Sequence, residues 1–264
     1  MATRYFKTDA LVLHSRHFNE SDRLVRFLTC DRGKIDAVVR GARKTKSKLA
    51  AGVEPFTYGH YVFYQGRSLA TLTQQQTKEN FNFFHRGLED YGYALYFAEL
   101  TDRLLEKNEP VTAFCQLLLA AWRSLNSKEK SLNRELLSRA YELKLLTLLG
   151  YAPVIDSCVL CGAKDTVDSF SAEQGGSLCS KCSLGQKTVP FSLGTKALAS
   201  FLLHNKFERI KNLRSSDIQR KELSRAINTF LVYHTGIKGF KTVRFLAQIQ
   251  SLGDKNFTPG TNYF

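Results

Sequence analysis

The sequence predicts an α+β multidomain protein: a small N-terminal barrel of five strands, then an α-helical domain interrupted by a four-cysteine insert. Three observations carry this. Short β-branched and aromatic runs separated by turn residues fill the first ~80 positions. Apolar residues recur at helical spacing from Phe81 onward, and two Cys-x-x-Cys pairs sit in a Gly- and Ser-containing break in that pattern.

In the first domain, residues 1–80, the strand candidates are Ala10–Leu13, Leu24–Leu28, Ile35–Val39, His60–Tyr64 and Leu69–Leu72. Asn19–Asp22, Asp31-Arg32-Gly33 and Gln65-Gly66-Arg67 separate them, and the last two read as hairpin turns in which Gly supplies a positive φ. Five strands in this length predict a closed barrel. The OB-fold is the commonest such solution for nucleic-acid partners, with an SH3-like barrel as the alternative.

Residues 81–264 form the helical domain. Leu88, Tyr91, Leu95, Leu100, Leu104 and Leu105 recur at about helical spacing, Pro110 interrupts, and Val111–Leu125 resumes the pattern. Leu132–Leu149 carries a stripe of Leu137, Tyr141, Leu145 and Leu148, with Gly150 at its exit. The insert, residues 152–190, follows. Thr195–Leu203, Asp217–His234 and Phe240–Gln250 are the remaining helices, and Gly253–Phe264 reads as a disordered or loosely docked tail.

Against 24 acidic side chains stand 38 Lys and Arg, a net charge of +14. Such an excess repels itself in a compact state and points to a polyanionic partner; a merely basic protein and an anionic membrane surface are the competing readings. No signal-peptide pattern opens the chain. The longest uncharged run, Pro110–Trp122, is too short to cross a bilayer, so we expect a cytoplasmic protein without a membrane partner.

Cys158, Cys161, Cys179 and Cys182 form C-x2-C-x17-C-x2-C, a spacing suited to one tetrahedral Zn²⁺. Two residues between cysteines make a tight turn that aims both sulfurs at one ion, and Gly162 frees the turn to do so. Lys164, Lys181 and Lys187 can offset the surplus thiolate charge. A redox Cys-x-x-Cys belongs in a βαβ context, whereas these pairs lie between helices. Catalytic zinc keeps an open position and uses His or carboxylate ligands, so the expected site is a structural zinc finger. Cys30 and Cys115 lie in apolar contexts and are expected to be buried free thiols.

From Arg32 to Lys48 there are seven basic residues and one acid, Asp36, so 7 − 1 gives +6. The run Gly41–Lys48 has no apolar periodicity and reads as a mobile loop leaving a barrel strand. Lys34, Arg40, Arg43, Lys44, Lys46 and Lys48 are therefore the candidate DNA-binding residues, because phosphate contacts release counterions whatever the sequence. Phe56, Tyr58, Tyr61, Phe63 and Tyr64 are candidates to stack bases, with barrel core as the competing assignment for at least half of them. The six histidines fall in no metalloprotease or nucleophile pattern, and no Walker loop or dinucleotide fingerprint is present. We expect no catalysis. A zinc-ribbon RNA-binding or ribosome-associated protein is the alternative function.

The order of motifs resembles the RecO family of bacterial recombination mediators. The likeness is carried by Ala10–Leu13, Asn19–Val25, Arg32-Gly33-Lys34, Gly41-Ala42-Arg43, Glu54-Pro55-Phe56, Leu69–Leu72, Arg139, Tyr141–Leu146, Leu149–Pro153, both Cys-x-x-Cys pairs and Lys241–Leu246. The resemblance implies an N-terminal OB-fold, a helical domain with a zinc finger, and no turnover. It further implies binding to single- and double-stranded DNA, annealing of complementary strands, contact with the acidic tail of single-stranded DNA-binding protein (SSB), and joint action with RecR to load RecA. A bacterial, nucleoid-associated protein follows. The receiving site for an acidic tail with an apolar end needs a greasy pocket rimmed by cations. The Leu132–Leu149 stripe with Arg139 and Lys144, and Arg123 on the preceding helix, is the candidate partner-binding set.

Overall fold

The computed structural model describes residues 4–106, 112–127 and 132–253. In chain order the elements are β1 (Tyr5–His17), β2 (Arg23–Thr29), β3 (Gly33–Val39), β4 (Thr57–Tyr64), β5 (Ala70–Asn80), α1 (Leu88–Leu104), α2 (Thr112–Leu125) and α3 (Arg134–Leu148). Then follow β6 (Val167–Ser171), β7 (Gly176–Cys179), β8 (Val189–Pro190), α4 (Leu193–His204), α5 (Asp217–Thr235) and α6 (Lys241–Gly253). The Pro110 break and the tail after Gly253 lie outside the described residues.

Strand alternation builds the first core. Along β4, Thr57, Gly59, Tyr61 and Phe63 are buried while Tyr58, His60, Val62 and Tyr64 are only partly covered, the period of two that a pleated strand imposes. Ala10, Val12, Val25, Phe27, Ala37 and Val39 join Tyr61 and Phe63 inside. The sheet closes on itself in the order β1-β2-β3-β5-β4: β4 pairs with both β1 and β5, and β5 pairs in parallel with β3 through Ala37–Ala70 and Val38–Thr71. Gly33 takes φ +69° at the β2–β3 turn, as the sequence predicts. Gly66 does not adopt a positive φ; a Cβ there would lie 2.2 Å from the Leu69 carbonyl, so close backbone approach is what requires glycine.

The chain divides into two compact units, residues 1–126 with 240–264 and residues 127–239. β5 ends at Asn80, and α1, α2 and α6 belong to the same compact unit as the barrel. In the first unit α1 and α2 cover the outside of the barrel, which is why the run Ala10–Leu13 is buried on both faces of β1. Phe56 sits at φ +66°, a conformation costing about 1 kcal/mol or more in a bulky residue. Its buried ring meets Phe83, Tyr91 and Trp122 edge-on at 5.3–5.6 Å. The final helix returns to this unit: Glu99 on α1 accepts from the Lys241 and Thr242 N–H groups at the start of α6 (3.0 and 2.9 Å). Gly92 leaves room for Leu246, which a Cβ would approach to 2.6 Å.

Cys30 and Cys115 are not free thiols. They form a disulfide between the end of β2 and α2, with Cα atoms 5.4 Å apart across 85 residues. The sequence could not pair them, because only packing of α2 on the barrel brings them together. In denatured, metal-stripped protein we expect four reactive thiols before reduction and six after it, matching the four cysteines outside the bridge. Breaking the bridge is expected to destabilise the first unit by about 2–4 kcal/mol. Six reactive thiols before reduction would show that the bridge does not form.

The second unit packs α3, α4 and α5 with a three-stranded sheet ordered β7-β6-β8. Leu143, Leu146, Ile155, Phe170, Phe191, Leu223 and Phe230 are buried there. Asn133 caps α3 through the Leu136 N–H at 3.0 Å, and Gly150 follows its end at φ +86°. A Ser216–Gln219 capping box starts α5.

Candidate metal centre and nucleic-acid interface

The four cysteines converge as their spacing predicts. Their Sγ atoms all lie within 4.8 Å of one another, and Cys161 and Cys179 are 3.7 Å apart. A tetrahedron with Zn–S bonds of about 2.3 Å has edges of about 3.8 Å, so this donor set fits a zinc ion. Two turns build it. In the first, the Gly162 N–H donates to the Cys158 carbonyl at 2.8 Å with Gly162 at φ +76°. In the second, the Ser183 N–H donates to the Cys179 carbonyl at 2.9 Å. A bridge between Val154 and Gly176 sets the first turn on β7, and a Cβ at Gly176 would meet the Val154 oxygen at 2.2 Å.

The electrostatics favour a cation. Burial resists ionisation of Cys158, but N–H groups of Cys179, Cys161 and Leu160 outweigh it and lower the thiol to about 6. The Cys182 N–H lowers Cys179. Cys182 is pushed up to about 12 by its hydrogen bonds to Cys179 and Cys161, because one thiol must keep a proton beside thiolates. A divalent ion removes that conflict. Lys164, Lys181 and Lys187 are exposed, and the backbone supplies the donors to sulfur instead.

The basic segment divides. Arg40, Arg43, Lys44, Lys46 and Lys48 are exposed on the β3–β4 connection. This loop is built from successive turns: Lys44 N–H to the Gly41 carbonyl (3.1 Å) and Ser47 N–H to the Lys44 carbonyl (2.9 Å). Ala42, Leu49 and Val53 anchor it in the barrel core. The Arg43 guanidinium holds the Asn19 and Glu20 carbonyls at 3.2 and 2.8 Å. The Gly41 N–H donates to Asp22, which keeps that carboxyl below its usual range.

Lys34 leaves the set. It is 7% exposed, its ammonium donates to the Asp102 carbonyl on α1 and lies 3.4 Å from the Asp102 carboxylate, and burial lowers its pKa. Its place in β3 faces the covering helix rather than solvent. Asp102, which the sequence did not single out, also pairs with Arg26 at 3.1 Å and lies 3.5 Å from His14. Arg26 in turn holds both oxygens of Asp36.

Phe56, Tyr61 and Phe63 are core residues and cannot stack bases. Tyr58 and Tyr64 remain half-buried on the outer face of β4. Tyr58, His60 and Lys78 all reach Asp9, at 3.2, 3.0 and 2.7 Å. Sequence reading missed Tyr5, 57% exposed with its ring 5.1 Å from Tyr64, and Arg4, which donates to the Tyr64 hydroxyl at 3.0 Å. Their position in a cation-flanked strand start was the available signal.

The expected partner-binding cations are all engaged. Arg123 on α2 pairs with Glu79. On α3, Arg139 pairs with the buried Glu142 at 2.7 Å rather than with Glu135, which pairs with Arg220 at 3.2 Å. Lys144 donates to the Leu203 carbonyl at 2.5 Å. Leu137, Tyr141 and Leu145 are fully buried core, so of the expected apolar stripe only Leu148 is exposed. A core stripe and an open docking stripe use the same residues, and packing decided for the core.

Comparison with known proteins adds a consistent finding. Residues 1–81 match the family described as "Recombination protein O N terminal", and residues 85–244 match "Recombination protein O C terminal". The chain is similar to the DNA repair protein RecO of Caldanaerobacter subterraneus, 33% identical over 236 residues covering 88% of this chain and 93% of that protein. It is 32% identical over 246 residues to that of Alkaliphilus metalliredigens, covering 92% and 99%. Against that of Desulforamulus reducens the identity is 30% over 262 residues, covering 98% and 99%.

Proposed function

The chain belongs to the recombination protein O (RecO) family, and from that premise we propose that it is a non-enzymatic DNA-binding mediator of recombinational repair. We read the barrel as an OB-fold, since its five strands run in the order β1-β2-β3-β5-β4 with β3 and β5 parallel. It binds single- and double-stranded DNA through phosphates and anneals complementary strands without nucleotide. A structural Zn²⁺ at Cys158, Cys161, Cys179 and Cys182 holds the insert. Its partners are the acidic SSB tail, RecR and, through them, RecA. Arg123, Arg139 and Lys144 join a tail site only by giving up part of their internal pairing. The protein works in the bacterial cytoplasm at the nucleoid; among the described residues no helix is long and apolar enough to cross a membrane.

One observation carries the DNA reading: five cations stand exposed on a loop whose backbone is fixed by turns and by core anchors. Preset cations lose less freedom on meeting phosphates than a floppy tail does. Arg43 helps to shape the loop, so the sharper test spares it. Lys44→Ala, Lys46→Ala and Lys48→Ala together are expected to flatten the log–log salt dependence of single-strand binding by about 2, at about 0.7 per phosphate contact. Every sequence should weaken alike. A wild-type slope in the triple variant overturns the loop assignment, and wild-type protein that fails to anneal SSB-coated strands overturns the mediator reading.

A further inference from the structure

The second unit carries its own surplus of uncompensated charge. From Lys206 to Arg225 there are seven Lys or Arg and three acids, a balance of 7 − 3 = +4. Two of the acids are turned to internal use. Glu222 accepts from the Ser192 N–H and hydroxyl (3.0 and 2.8 Å) and from the Thr195 hydroxyl (2.5 Å), donors that hold its pKa down against partial burial. Asp217 pairs with Arg220, which also holds Glu135. Among the described residues, Lys206, Arg214, Lys221 and Arg225 are left exposed with no ion pair.

The last two stand on the outer stripe of α5. Ile218, Lys221, Arg225 and Asn228, spaced i, i+3, i+7 and i+10, are all exposed, while Leu223, Ala226, Ile227 and Phe230 face the core. An ordinary solvated helix face intersperses acids with its cations. Glu208 and Asp217 are exposed nearby, but the stripe itself carries Lys221 and Arg225 and no acid, beside an apolar side chain, Ile218, that is 68% exposed.

We propose that the outer face of α5, with Arg214 and Lys206 before it, is a second single-strand DNA surface, separate from the barrel loop. An acidic peptide tail would need cations gathered round an apolar pocket. These cations instead follow one another along the chain and helix, the arrangement that suits a continuous phosphate backbone with Ile218 against a base. The proposal rests on the DNA-binding reading and deepens it: a protein with one strand site on each unit can hold two strands at once, as annealing requires.

Short labelled oligothymidylate of about 12 nucleotides, within the range one OB-fold occupies, serves as the probe. In a tight-binding titration at low salt, the full-length protein is expected to bind two oligonucleotides per chain. Changing Lys206, Arg214, Lys221 and Arg225 together to Ala should leave one, bound through the barrel loop, and slow annealing at least tenfold. The Lys221→Arg, Arg225→Lys pair should retain both strands, since it keeps the charge. Two strands still bound by the quadruple variant, with normal melting, overturns the second surface. So does an acidic peptide that binds wild type and not the variant while DNA binding is untouched. Wild-type protein that binds no oligonucleotide at all defeats the DNA reading itself, a result distinct from losing one strand of two.

Discussion

Cys161→Ser is expected to empty the metal site and unfold the insert while the barrel stays folded. The variant replaces a sulfur donor with a hydroxyl, a poor ligand for zinc, so one of the four donors is lost from a cluster whose sulfurs lie within 4.8 Å. Structural zinc contributes roughly 10–16 kcal/mol in isolated finger peptides, far more than the small core of Cys158, Leu178 and Cys179 can supply alone. Metal analysis should read about one zinc per wild-type chain and almost none in the variant. Proteolysis should then concentrate in residues 152–190, with strand signals of the barrel unchanged. Chelator added to wild type should reproduce the same cleavage, and acid should release the metal as thiolates take up protons. Wild-type protein purified without chelator yet free of metal would remove zinc from the account.

Asp102→Ala is expected to be the most damaging single change in the first unit. The carboxylate is 17% exposed and faces Arg26 and Lys34, and its loss leaves the 7%-exposed Lys34 ammonium without its counter-ion. Breaking a buried pair from one side typically costs about 3–5 kcal/mol. Burial acts to raise the Asp102 pKa, but His14, Lys34 and Arg26 outweigh it and hold it at about 2. Because the folded value lies below the unfolded one near 4, the contribution is complete above about pH 4 and disappears as pH falls through 2. That window corresponds to roughly 2–3 kcal/mol at full effect. Denaturant titrations at pH 6, 4 and 2.5 should therefore show wild type losing stability over the last step, with Asp102→Ala losing less. Parallel pH curves for the two proteins would mean the network contributes nothing to folding.

Much of the fold was legible because the relevant signals are local. The strand alternation of His60–Tyr64, the Gly33 turn and the stripe of α3 all follow from chain geometry over a few residues. The same locality made the Leu137–Tyr141–Leu145 stripe ambiguous, since burial against the protein's own helices and docking of a partner demand the same pattern. Phe56 illustrates the opposite case. Its positive φ is tolerated only because Phe83, Tyr91 and Trp122 enclose the ring, and none of them is a sequence neighbour.

What the sequence by itself determined is which four cysteines come together, Cys158, Cys161, Cys179 and Cys182. Each Cys-x-x-Cys pair closes through its own turn, and the two turns then need only one short sheet to meet. What only the tertiary structure decided is which cations are available. Lys34 and Lys44 look alike in sequence, yet Lys34 meets the carboxylate of Asp102, 68 positions away, and Lys44 is exposed. Likewise Cys30 finds Cys115 across 85 residues, and α6 returns to α1 to be capped by Glu99. A charge or thiol is free or engaged according to what lies within a few ångströms in space, and periodicity along the chain carries no record of that distance.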